Sequence, residues 1–443
     1  MILFCKARDR HETCAALLAW LGVGLAGHHS ALAEEATTSG ARTPAVVVDL
    51  ATAVRLARTR SPTLAPSLAA LSGTAAIARA ADVALVTPPR IELQVGPRVQ
   101  HGSLPVGPEV TVAAWQDISL GGLGAARRGL STSLGREARA AVAVAEWDAA
   151  ARAAFAWTDA RLAVELERIR SEALKDAEEL LRVAEVRVRS GRTDAGEEAL
   201  ARAVVGSAQA AVLDAEGRRF TAESELRFST GLGPTARIEV DGEFEVTDDA
   251  LDGAALATQA RAAQPDIALS RAGADRRFRT ADLSLAAGKP VLALGPLVTH
   301  EGTGDWIVQA RISVPLPFFN PAAFDGAHAR ADALVAQAIA QEQRARLDTE
   351  LLIALHEREH ARAVRDTLRD GALSPARTAL DIASKQYAAG SAELPTVLSA
   401  RRELLDAEQR WAEAVSDVRR ADVRLARGLG LDPSVSLTTK GKR

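Results

Sequence analysis

Two histidines one helical turn apart, the first followed by a glutamate, are the most chemically suggestive residues of this sequence. His356-Glu357-Arg358-Glu359-His360 fits the zinc-hydrolase spacing H-E-x-x-H and also the reversed form H-x-x-E-H. On a helix that spacing puts two imidazoles on one face, with a carboxylate placed to activate a metal-bound water. The surroundings argue against this chemistry. The stretch lies inside a long predicted helix without Gly or Pro, Arg358, Arg362 and Arg365 crowd it with positive charge, and no third ligand is evident. It reads as the charged face of a helix, and no catalytic, cofactor-binding or metal-ligating residue is assigned. His101 and His300 occupy matching loop positions, but one imidazole per loop is not a ligand set. They read as solvated loop residues, with metal contact the alternative. A third group gathers around Gly191 and Gly390: Asp194, Glu197, Glu198 and Glu393 with Arg187, Arg189, Arg192 and Lys385. Such charges serve either to cap helix ends or to form ion pairs between helices, and the spacing leaves both open.

The elements that must position these residues occur twice. Ile91-Glu92-Leu93-Gln94-Val95-Gly96-Pro97 answers Val291-Leu292-Ala293-Leu294-Gly295-Pro296, Gly191 answers Gly390, and Gly231-Leu232-Gly233-Pro234 answers Gly430-Leu431-Asp432-Pro433, all at a near-constant offset. Each copy predicts a helix, two alternating strands and a very long helical hairpin. In the first, Ile91, Leu93, Val95 and Val99 alternate with Glu92, Gln94, Arg98 and Gln100, the period of a strand with one apolar and one polar face. The return strand sets Val110, Val112, Ala114, Ile118 and Leu120 against Thr111, Asp117 and Ser119. In the second copy Trp306, Val308, Ala310, Ile312 and Val314 face away from Gln309, Arg311 and Ser313. Each strand has about nine to eleven residues, enough to cross a hydrocarbon core when tilted.

From about Leu123 to Ser190 the pattern is helical, which at 1.5 Å per residue gives a helix on the order of 100 Å long. Gly191 ends it. Asp194 and Glu197 predict an N-cap and capping box for the returning helix. The second copy repeats this, with one long helix from about Ala322 to Ala389, a turn at Gly390 and a return to about Gly428. In the last helix Val397, Leu404, Trp411, Val418 and Leu425 recur every seven residues, a coiled-coil stripe.

Aromatics are 4% of the chain, charged residues 25% and the net charge −3, a composition of close-packed helices that argues against a nucleic-acid binder. The N-terminus predicts a cleaved export signal: basic Lys6, Arg8 and Arg10, an apolar run from Ala15 to Gly27, and Ala31-Leu32-Ala33. Both cysteines, Cys5 and Cys14, lie within it. The expected organisation is a signal peptide (1–33), a flexible leader (34–48), a first repeat (49–247, strands 90–100 and 109–120, hairpin 123–230), a second repeat (248–436, strands 290–299 and 305–315, hairpin 322–429) and a tail (437–443).

Four strands of membrane-crossing length cannot close a barrel alone, because open edges in lipid leave backbone groups unpaired at several kcal/mol each. More copies must supply the rest, and three would give twelve strands. On Ile312-Ser313-Val314-Pro315-Leu316-Pro317-Phe318-Phe319-Asn320, on Tyr387-Ala388-Ala389-Gly390 followed by Leu398, Ala400 and Arg401, and on the Gly-Leu endings of both repeats, the chain resembles the TolC-type outer-membrane efflux family. The resemblance is greatest to the branch serving cobalt-zinc-cadmium (RND) efflux systems.

That resemblance implies a mainly α protein with a membrane β-barrel. It implies a homotrimer with a twelve-stranded barrel in outer-membrane lipid and a helical tunnel crossing the periplasm to a periplasmic adaptor protein and an inner-membrane RND pump. It implies no enzymatic activity, no cofactor and no nucleic acid, and heavy-metal cations as a cargo. Gly191, Thr193, Gly390 and Ser391 then lie at the tip that meets the adaptor, and Arg189, Arg192, Asp194, Lys385, Tyr387 and Glu393 are candidates for an entrance gate. His101 and His300 fall outside the cell. Trp306 is expected at the membrane interface, whereas Trp115, on the polar register, is either an interface anchor or barrel packing. The alternative function is a soluble exported periplasmic coiled-coil scaffold.

Overall fold

In the computed structural model of the protein, the residues described are 45–83, 85, 87–97, 107–244, 258, 260, 264–315 and 322–434. The signal peptide, His101, the joint between the repeats, the crossover at 316–320 and the tail lie outside them. Everything below belongs to the body formed by Val46–Arg443.

Strands β2 (Arg90–Pro97), β3 (Pro108–Ser119), β5 (Val291–His300) and β6 (Trp306–Ser313) form one antiparallel sheet in the order β2-β3-β5-β6. The register carries the alternation across all four strands. Leu93 lies opposite Val112, Val112 opposite Val298, and Val298 opposite Val308, giving an apolar row. One residue along, Gln94, Thr111 and Thr299 make a polar row over three strands, which Ile307 of β6 ends, and the two threonine hydroxyls are 3.0 Å apart. The inner edges of β2 and β6 are paired, and their outer edges have no partner strand among the described residues.

The helices follow the predicted hairpins, with one exception. Helix α3 (Leu123–Arg189) is unbroken and returns as α4 (Ala195–Thr230). The second long helix is not continuous. Helix α6 (Ala322–Leu368) passes through a π-helical turn at Arg369–Leu373 into α7 (Ser374–Ala388), and α8 (Leu394–Leu429) returns. Pro375 explains the break, since it has no N–H and its ring crowds the carbonyl four residues earlier, that of Gly371. The backbone widens, and Ser374 N–H donates to Arg369 O. All four hairpin helices end on a left-handed glycine, Gly191, Gly231, Gly390 or Gly430, with the same pair of closing hydrogen bonds; at the tips these are Arg192 N–H to Arg187 O and Ser391 N–H to Gln386 O, both 2.9 Å.

Shorter helices α1 (Leu50–Arg60), α2 (Ala65–Ala81) and α5 (Pro265–Ala287) lie along α3, and α5 also along α6. Small side chains make this possible. Ala149, Ala150, Ala153, Ala154 and Ala160 of α3 are buried and let neighbouring backbones approach. On α8 the seven-residue stripe packs inward, Val397, Val418 and Leu425 fully and Leu404 and Trp411 partly.

The end of the expected leader is not loose chain. Val46–Val48 form strand β1, parallel to β4 (Ile238–Val240), because Trp157 of α3 holds the pair from beneath. Its indole N–H donates to Val48 O at 3.1 Å and Asp241 O at 3.2 Å, and the ring is buried among Val48, Ala53, Leu226 and Ile238.

Candidate functional site

Two places in the fold can do something beyond holding it together: the two faces of the sheet and the hairpin turns. The apolar face carries Ile91, Leu93, Val308 and Ile312, which are 78%, 64%, 74% and 70% exposed. No described helix is long and apolar enough to cross a membrane, so the sheet is the apolar surface to account for. Trp306 stands on this face at the loop end, edge-on to His300 at 4.7 Å between ring centres. His300 is thus engaged with an aromatic ring, and among the described residues no group of three metal-ligating side chains exists. On the polar face Arg90 pairs with Asp117 at 2.6 Å, and Arg311 lies over the ring of Trp115 at 5.1 Å. Trp115 therefore belongs to the polar side, unlike Trp306.

At the turns, the charged group seen in the sequence resolves into separate tasks. Asp194 caps α4, accepting from Gly196 N at 2.9 Å and Glu197 N at 3.2 Å. Lys385 pairs with Asp381 on its own helix at 2.7 Å, Glu393 sits at the start of α8 without a side-chain cap bond, and Arg189 and Arg192 are exposed. Thr193 Oγ1 donates to Glu197, and Ser391 Oγ to Gln386 O at 3.1 Å.

At the tips, one connection between the two hairpins runs through Arg187, Glu197 and Tyr387. Tyr387, only 2% exposed, donates its hydroxyl to Glu197. Arg187 covers the Tyr387 ring at 4.4 Å, donates to Tyr387 O at 2.9 Å and lies 3.7 Å from the Glu197 carboxylate. A cation on the last carbonyls of α7 also suits that helix end electrostatically. Burial pushes the Tyr387 phenol above its ordinary value, the hydrogen bond and charge of Glu197 add to this, and Arg187 opposes it. The phenol stays a donor. Around it Leu180, Ala184, Ala201, Leu394 and Val397 form an apolar cluster shared by the two hairpins. The capping-box spacing hid this arrangement, since Glu197 faces the second hairpin; its only sequence signal is an acid in the first turn of α4 and the chain's single tyrosine at the matching turn.

The H-E-x-x-H stretch lies on α6 with His356 and His360 exposed, their rings stacked at 6.4 Å. Glu357 is held by Arg424 of α8 at 3.2 Å, and the buried Arg358 between them pairs with Asp422. The carboxylate that would activate water is thereby part of a helix-to-helix ion pair.

Residues 256–431 match the family described as outer membrane efflux protein. The match spans less than half of the chain and makes the second repeat similar to that family. Likeness in fold to solved membrane-channel structures extends over the first repeat as well. The outer membrane protein VceC of Vibrio cholerae is 19% identical and superposes with a TM-score of 0.69, covering 86% of this chain and 96% of its own. CusC, whose structures describe transmembrane channel formation, is 16% identical with a TM-score of 0.69, covering 90% and 96%. A membrane protein from Pseudomonas aeruginosa is 18% identical with a TM-score of 0.72, covering 92% and 99%. No curated protein sequence matches the chain.

Proposed function

We propose that this protein is the outer-membrane exit duct of a tripartite efflux pump, working as a homotrimer that reaches from the outer membrane into the periplasm and meets an adaptor and an inner-membrane pump. The observation that carries the reading is the sheet, with an exposed apolar face, a polar face and two open edges. Three copies joined β2 to β6 leave no unpaired edge, turn the apolar face to lipid and line a lumen with the polar one. The helices supply the matching condition. Leu213, Phe220 and Phe228 on α4 and Leu334, Leu352 and Ile353 on α6 are exposed large apolar residues on the two helices that flank α3 and α8. Contact between neighbouring copies would bury both sets.

In this reading the Gly191 and Gly390 turns are the periplasmic tip, and the Arg187–Glu197–Tyr387 contact is a latch that fastens the second hairpin to the first at the entrance. Heavy-metal cations are suggested as cargo by the sequence resemblance alone. Membrane fractionation followed by native mass spectrometry tests the proposal. The protein should be extracted from outer membrane by detergent as a trimer, and a water-soluble monomer in the periplasmic extract would instead favour a coiled-coil scaffold.

A further inference from the structure

The polar sheet face holds a charge for which the duct reading alone gives no role. Where the strands run into the helices, Gly295 of β5 lies opposite Arg311 of β6 on one side and packs against Trp115 of β3 on the other. A Cβ on Gly295 would fall 2.6 Å from Trp115 Cα and 1.8 Å from Ala114 O, so no side chain can stand between the arginine and the indole. Arg311 crosses that gap and rests its guanidinium on the Trp115 ring, 5.1 Å from the centre. A hollow of about 550 Å³ opens there, lined by both of them and by Arg90, Asp117, Thr87 and Ser313. Its two arginines differ. Arg90 is neutralised by Asp117 at 2.6 Å, whereas Arg311 has no carboxylate at ion-pair distance among the described residues. A ring face attracts the flat side of a guanidinium and leaves its in-plane N–H donors available. Those donors match the oxygens of a carboxylate, sulfonate or phosphate.

We propose that Arg311, carried on Trp115 across the gap at Gly295, is a recognition point for anionic groups on the cargo, set inside the pore where strands give way to helices. This role rests on the duct reading, which turns the polar face to the lumen, and it narrows the cargo: a carboxylate-, sulfonate- or phosphate-bearing molecule is favoured there over a free metal cation. Barrel closure would bring one acid toward β6, Glu92 on the polar face of a neighbouring copy's β2.

The test compares full-length wild type, Arg311→Gln, Glu92→Gln and the double variant in planar bilayers under a potassium chloride gradient. One charge about 5 Å from a passing ion in a water-like dielectric is worth about fourfold for that ion, with opposite sign for chloride and potassium, and so about 16-fold on their ratio. Arg311→Gln should lower the chloride-to-potassium permeability ratio by that factor, and naphthalene-2-sulfonate should block wild type but not Arg311→Gln. An unchanged ratio in a conducting Arg311→Gln channel overturns the proposal, as does a double variant that matches wild type, which would mean that Arg311 only offsets Glu92. If Arg311→Gln does not assemble, wild type alone decides, because a channel insensitive to the sulfonate refutes the site. Wild-type protein that forms no channel refutes the duct itself, so the two failures are distinguishable.

Discussion

Removing one oxygen atom at the hairpin tips should loosen the entrance proposed there. Tyr387→Phe keeps the ring, its burial and the Arg187 guanidinium 4.4 Å above it, and deletes only the hydroxyl donated to Glu197. A hydrogen bond to a charged group contributes about 1.5–3 kcal/mol. The lower figure applies here, because Glu197 keeps the Thr193 hydroxyl and Arg187 at 3.7 Å. At about 1.4 kcal/mol per factor of ten, each copy's equilibrium moves about tenfold toward the unlatched state. Single-channel recording in planar bilayers reads this directly, as longer open times and a larger mean conductance for Tyr387→Phe than for wild type. Glu197→Gln, which keeps an acceptor but loses the charge, should fall between the two. Equal conductance and open time for wild type and Tyr387→Phe, with the trimer intact, would show that the contact does not hold the entrance.

The same tyrosine can be titrated without mutation, because it is the only one in the chain. Its folded-state pKa is raised above the ordinary phenol value of about 10, so the folded protein keeps a proton that the unfolded chain loses; the stabilisation is complete below about pH 10 and is lost as pH rises beyond it. Tyrosinate absorbance should appear at clearly higher pH in native than in denatured protein, and coincident curves would contradict the buried, hydrogen-bonded phenol. Gly295→Ala forces a methyl group against Ala114 O and should destabilise the sheet by about 1–3 kcal/mol or more, seen as loss of the detergent-resistant trimer on gels. Trp157→Phe removes the donor shared by Val48 O and Asp241 O and should lower stability by about 1–3 kcal/mol; an unchanged thermal midpoint in detergent would mean that the β1–β4 pair does not depend on the indole.

Much of the fold was readable because its signals are local and duplicated. Gly191 and Gly390 mark turns since only a left-handed residue closes those helix ends, and the alternation in β2 and β3 survives as two faces in the register. The features that escaped depend on contacts distant in sequence. Val46–Val48 have strand-forming side chains, but their partner, Ile238–Val240, lies near the far end of the repeat, and a strand of three residues gives no period to read. Glu197 fits a capping box by spacing, while its hydroxyl donor comes from the other hairpin. Gly295 looked like a landmark of duplication, and its physical reason, an adjacent strand bearing Trp115, appears only in the sheet.

The π-helical turn at Arg369–Leu373 has a geometric effect all the way down to the tip. The wider turn takes up one residue more than an α-helical turn, so every side chain beyond it stands about 100° around the axis from where an unbroken α-helix of the same sequence would put it. Tyr387 meets Glu197 only with that offset in place. Regularising the turn with every residue kept, as Pro375→Ala would allow, should swing the phenol a quarter-turn or more off its partner, so the angular setting of the hairpin tip is fixed some way up the hairpin by a change of winding as well as by contacts at the tip.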